Sequence, residues 1–132
     1  MFQKVNMVTL KVDRDSVHAG DDMSSHEISI DVTEDMSIEE LLTFAAQKCV
    51  LPKISGGMGT WFAYLESEPK IYLGVFAQQW RNPKFLINSA TMLGAIYSKE
   101  QTKLIFRYWC QADPDLVFKS LADNTELPSK YS

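Results

Sequence analysis

Phe76-Ala-Gln-Gln-Trp80-Arg81 is the stretch of this chain richest in groups that could bind something. Gln78, Gln79 and Arg81 place donors and acceptors beside the large apolar surface of Trp80. Trp and Arg are the residue types enriched at the energetic centres of protein interfaces. Two roles are open to this stretch. It is either a strand end whose Trp covers the edge of a core, or a patch that meets a partner or ligand.

The second chemical feature is charge. Residues 1–48 hold ten acidic and four basic groups, a net of −6, and residues 49–112 hold three acidic and seven basic, a net of +4. The whole chain carries −4. Asp21, Asp22, Asp31, Glu34 and Asp35 form the centre of the acidic third, with Asp13, Asp15, Glu27, Glu39 and Glu40 around them. Such a face is either an ordinary solvated surface or a docking face that steers a basic partner. Against a nuclease it would mimic a phosphate backbone. Together with Gln78, Gln79, Trp80 and Arg81, the five central acids are the candidate partner-binding residues. The Asp13–Asp22 segment lacks the ligand spacing of an EF-hand, so calcium is not expected there.

The remaining chemistry-bearing residues are sparse. Cys49 and Cys110 stand 61 positions apart, and His18 and His26 are isolated from them. A zinc site usually takes four N or S ligands, often in close pairs. An iron–sulfur cluster takes four thiolates. Neither set is available, and no cofactor or metal is expected. The cysteines read as small buried apolar residues, with a disulfide as the weaker alternative. The histidines lie near carboxylates in sequence, but no nucleophile or pocket marks them, and exposed loop positions are expected. Ser55-Gly-Gly-Met-Gly-Thr60 could cradle an anion, yet it lacks the Lys of a phosphate-binding loop and leads into a strand rather than a helix. It reads as a flexible connector or an interaction loop. No catalytic residue is assigned.

Periodicity supplies the elements that must position these groups. Val8, Leu10 and Val12 alternate with polar residues, as do Ile28, Ile30 and Val32, which predicts two half-buried strands. Ser37 and Glu40 form a capping-box pattern before Ile38, Leu41, Leu42, Ala45, Ala46 and Cys49, an apolar stripe at helical spacing. A helix over about 37–50 follows, and Pro52 rules out its continuation. Trp61–Leu65 and Ile71–Ala77 predict a hairpin. Phe85–Ile87 could form a short strand, and Thr91–Tyr97 is open between a helical turn and a strand. Lys103–Trp109 reads as a strong strand. Asp113-Pro114 starts a short helix that would bury Leu116, Val117 and Leu121. The last ten residues are polar and expected to fray.

At 132 residues, with 45% hydrophobic and 23% charged side chains, the chain fits one soluble globular domain with a core of its own. The fold class is α+β: a mixed sheet of about five strands on one main helix, plus a short C-terminal helix. Met1–Leu10 has no apolar run of the signal-peptide kind, and no window reaches the ~18 apolar residues of a membrane span. A cytoplasmic location is expected, with no membrane contact and no direct nucleic-acid binding.

The order strand, strand, helix, strands, final strand resembles the β-grasp arrangement of ubiquitin-like domains. The matching stretches are Met7–Asp13, Glu27–Thr33, Ser37–Val50 and Lys103–Trp109. The resemblance implies that the last strand returns to the sheet centre beside the first. It covers about residues 5–110 and lies in element order rather than in a motif. The departures are a longer middle segment and a C-terminal extension of about 20 residues. Ubiquitin-like modifiers use a free terminal Gly-Gly. Here Gly56-Gly57 is internal and the chain ends Ser129-Lys-Tyr-Ser132, so conjugation and sulfur transfer are not expected.

Three functional expectations result. The first is a non-catalytic protein-binding module, in its sharpest form a bacterial immunity protein or adaptor that meets a basic partner through its acidic face. The second is a ubiquitin-like component of a secretion or assembly system. The third is a small ligand-binding protein or enzyme with a pocket near Trp61, Gln78, Gln79 and Trp80. The aromatic middle (Trp61, Phe62, Tyr64, Tyr72, Phe76, Trp80) would also support a homodimer if it left a sheet face or edge uncovered.

Overall fold

In the first strand, β1 (Met7–Arg14), Val8, Leu10 and Val12 are buried and the residues between them are not. A strand turns successive side chains to opposite faces, so this alternation commits one face of the sheet to a core. β2 (Ile28–Thr33) pairs antiparallel with β1 and adds Ile30 and Val32 to the same face. These observations come from a computed structural model that describes residues 6–17, 25–49, 51–52, 57–67, 69–97 and 103–130.

Helix α1 (Ile38–Cys49) covers that face with Ile38, Leu41, Leu42, Ala45 and Cys49. Its start is the expected capping box. The Glu40 amide donates to Ser37 Oγ at 3.1 Å, and Ser37 N and Oγ both reach Glu40 Oε1. A second device holds this end. Ile38 N donates to the Thr91 carbonyl and Glu39 N to that of Ser89, while Leu93 N and Gly94 N donate back to Met36 and Glu34. The ambiguous segment Thr91–Tyr97 therefore resolves as a strap around a 3-10 turn (Leu93–Ala95) with Leu93 buried. It satisfies amides that a helix start leaves open.

β3 (Thr60–Leu65) and β4 (Ile71–Ala77) form the hairpin, β5 (Lys84–Phe85) is a two-residue edge, and β6 (Lys103–Tyr108) closes the set. The sheet order is β2-β1-β6-β3-β4-β5. β6 runs parallel to β1 and antiparallel to β3. The architecture is a mixed six-stranded α+β sheet, one strand more than expected because β5 adds an edge.

All six residues of β3 are buried. Trp61, Ala63 and Leu65 join the core under α1, whereas Phe62 and Tyr64 join a second cluster on the other face. That cluster is covered by α2 (Pro114–Asp123) and the tail beyond it. Two-sided burial explains why β3 reads as a continuous apolar run. Asp113 caps α2 by accepting from Asp115 N at 2.9 Å.

Two expectations for this end are corrected. Leu116 is 51% exposed, because α2 docks through Pro114, Val117, Phe118 and Leu121, a stripe at i, i+3, i+4 and i+7 that leaves Leu116 outside. The tail does not fray at Leu127–Pro128: Leu127 packs into the second cluster, and Trp109 Nε1 donates to the Pro128 carbonyl.

Candidate interaction surface

The acidic candidates gather where β2 passes into α1. Asp31 stands exposed on β2 and accepts from Thr9 Oγ1 at 2.8 Å. In the turn that follows, Glu34 accepts from Asn6 Nδ2 at 3.0 Å and Asp35 accepts from the Thr33 hydroxyl. Glu39 and Glu40, exposed on the first turn of α1, extend the corner. The sequence counts them in the acidic third but suggests only helix-dipole and capping roles for them. The strap bonds to the backbone of both the turn, at Glu34 and Met36, and the helix start, at Ile38 and Glu39. Asp21 and Asp22 lie outside the described residues, as do His18 and Ser55-Gly56.

Ion pairs among the described residues engage four acids outside this corner. Glu27 pairs with Lys103 at 2.8 Å and Lys11 at 3.8 Å, Asp13 with Lys103, Asp15 with Arg107, and Asp115 with Lys84. Among the described residues, no ion pair involves Asp31, Glu34, Asp35, Glu39 or Glu40.

The second half of the candidate patch lies elsewhere. Gln78 and Gln79 form the turn after β4, with Gln78 N donating to the Gly59 carbonyl and Trp80 N to that of Ala77. Gln79 and Arg81 are exposed. Trp80 is half-buried in the second cluster, and Lys84 Nζ sits 4.6 Å from its ring centroid and 5.9 Å from that of Phe118. Trp80 thus joins the β4–β5 turn to α2. Three strands separate β2 from β4. At one strand spacing each, the two strands are about 19 Å apart. The acidic residues and the Gln78–Arg81 group are not one surface.

Trp61 and Trp80 are also apart. Trp61 is buried under α1, its ring 4.8 Å from that of Tyr108, while Trp80 belongs to the opposite face. The two rings line no common pocket. Of the aromatic middle, Trp61, Phe62 and Tyr64 are buried, and Tyr72, Phe76 and Trp80 are half-buried within their own chain.

The structure places His26 differently from the exposed loop position expected. It is half-buried, with Nε2 3.0 Å from Ser16 Oγ, and so joins the two ends of the β1–β2 connection. Cys49 and Cys110 are both free thiols. Gly57 takes a left-handed φ of 70°, the turn geometry that glycine permits.

Beside the acidic corner, the outer face of α1 carries an open depression of about 450 Å³. Met36, Glu39, Glu40, Thr43, Phe44 and Gln47 line it. Among the described residues no group of three His, Cys, Asp or Glu could hold a metal ion, and no helix is long and apolar enough to cross a membrane. Comparison with family models, curated proteins and solved structures finds no match to this chain.

Proposed function

We propose that this chain is a protein-binding module without chemistry of its own, which docks a basic partner through the acidic corner between β2 and α1. The clustering of unpaired acids at one corner carries this reading. Asp13, Asp15, Glu27 and Asp115 meet a Lys or Arg within the chain, while Glu34, Asp35, Glu39 and Glu40, all within seven residues of sequence, make no ion pair among the described residues. A cluster of like charge left in this way raises the field at the surface and speeds encounter with an oppositely charged partner. A bacterial immunity protein or adaptor is the form this function takes. Two free thiols fit a reducing, cytoplasmic setting.

The test is affinity capture from native lysate with the full chain and with an E34Q/D35N/E39Q variant that keeps the capping residue Glu40. A stoichiometric basic protein should be held by the natural chain at low salt, released at high salt and lost with the variant. Equal capture by both, or no basic partner at low salt, overturns the reading.

A second reading, a ubiquitin-like component of a secretion or assembly system, is supported by one specific observation. β6 lies in the middle of the sheet parallel to β1, with α1 across one face. Gene neighbours distinguish the two. A toxin gene alongside favours immunity, and secretion ATPase genes favour assembly.

A further inference from the structure

Resting on the reading of a basic partner, we propose that the depression on α1 receives a basic amphipathic helix of that partner. The lining residues fall at positions 36, 39, 40, 43, 44 and 47, a stripe that starts at Met36 just ahead of α1 and follows the helix axis from Glu39 to Gln47. At 1.5 Å per residue its helical part, Glu39 to Gln47, is about 12 Å long, just over two turns, which suits a helix laid alongside α1. Its floor is apolar. Phe44 and Met36 each pack on the core from one side and present the other side outward. Met is the side chain that adapts most readily to an incoming apolar surface.

Its rim is acidic at the end nearer Met36. Glu39 and Glu40 are the ionisable groups of the lining, and neither makes an ion pair among the described residues. The Glu40 contacts with Ser37 both fall on Oε1, which leaves Oε2 for another donor. An apolar floor with acidic walls selects a helix that carries an apolar row flanked by Lys or Arg. Lys48 marks the end of the stripe, its Nζ 5.5 Å from the Phe44 ring centroid, so the acidic end nearer Met36 takes the more basic end of the guest.

The experiment titrates the isotopically labelled full chain with a synthetic peptide of Leu and Lys at amphipathic helical spacing. The same peptide with Glu in place of Lys is the control. The basic peptide should shift the amides of residues 36–47 and the acidic one should not. T43K/Q47K changes two exposed positions away from the corner and should weaken binding at least about tenfold. F44Q should weaken it similarly, and T43K/Q47K retains the test if F44Q fails to fold. Binding that shifts residues 31–35 alone and is indifferent to T43K/Q47K overturns the helix site but leaves the acidic corner standing. No shift anywhere in the folded chain overturns both.

Discussion

Trp109 Nε1 donates to the Pro128 carbonyl at 2.8 Å, and this bond holds the tail against the second face of the sheet. Leu127 packs into the same cluster, and Lys130 Nζ lies 4.7 Å from the Trp109 ring centroid. Truncation after Asn124 removes all three contacts. The expected loss is about 2–4 kcal/mol, the sum of partial Leu burial and one hydrogen bond. Trp109→Phe keeps the ring and removes the bond, for about 1 kcal/mol. Urea unfolding followed by tryptophan fluorescence measures both. An unchanged midpoint after truncation would show that the tail adds nothing.

Helix α2 offers a paired test of which residues face the sheet. Val117 is wholly buried and Leu116 is 51% exposed. Val117→Ala should cost about 1–3 kcal/mol, and Leu116→Ala should stay within about 0.5 kcal/mol of the natural chain. Equal losses in denaturant melts would contradict the docking stripe.

Gly74 is where the β4–β5 edge meets α1. A Cβ there would lie 3.0 Å from the Lys84 carbonyl oxygen and 3.4 Å from Leu42 Cδ1. The backbone contact cannot swing aside, so Gly74→Ala should destabilise by about 1–3 kcal/mol. Hydrogen exchange at Leu86, whose amide bonds to the Leu73 carbonyl, should accelerate first. Protection at Leu86 equal to that of the natural chain would rule this out.

Glu27 and Lys103 meet at 2.8 Å. The hydrogen bond from Lys103, aided by its charge, holds the Glu27 carboxyl below its ordinary 4.5. The same bond holds the Lys103 ammonium above its ordinary 10.5. The stabilisation linked to Glu27 is present above pH 4.5 and is lost as pH falls through its lowered value. That linked to Lys103 is complete below pH 10.5 and is lost as pH rises through its raised value. The difference in melting temperature between the natural chain and Glu27→Gln should therefore be constant through neutrality and shrink at both extremes. A difference that grows in acid would contradict the pairing.

Cys49 is buried, and desolvation pushes its thiol up to about 11. The thiolate is the reactive form. At neutral pH a chromogenic disulfide reagent should modify Cys110 first and leave Cys49 unmodified until the chain unfolds, giving one thiol per native chain and two in denaturant. Two rapid equivalents from the native protein would show that Cys49 is accessible.

Legibility in the sequence followed the strength of the local signal. The alternation of Val8, Leu10 and Val12, the Ser37–Glu40 box and the Asp113-Pro114 start each lead to the element observed, because each depends on neighbours within a few residues. The strap over Thr91–Tyr97 was ambiguous because its hydrogen bonds go to Glu34 and Met36, some sixty residues away. Leu116 reads as an inner residue from sequence because three apolar residues close together suggest one face. The face itself depends on the second cluster, where Val117, Phe118 and Leu121 pack with Trp80 and Trp109.

The candidate site divides in the same way. Residue order alone determined that the acids concentrate in the first third, that no metal-ligand spacing is present, and that the elements form an α+β sheet. The tertiary structure alone decided which acids find a cation, since Asp13 and Glu27 meet Lys103 only after β6 inserts beside β1. It also decided that Trp80 lies across the sheet from the acidic corner. Ion pairing and surface continuity depend on distances between residues far apart in the chain, and strand order sets those distances.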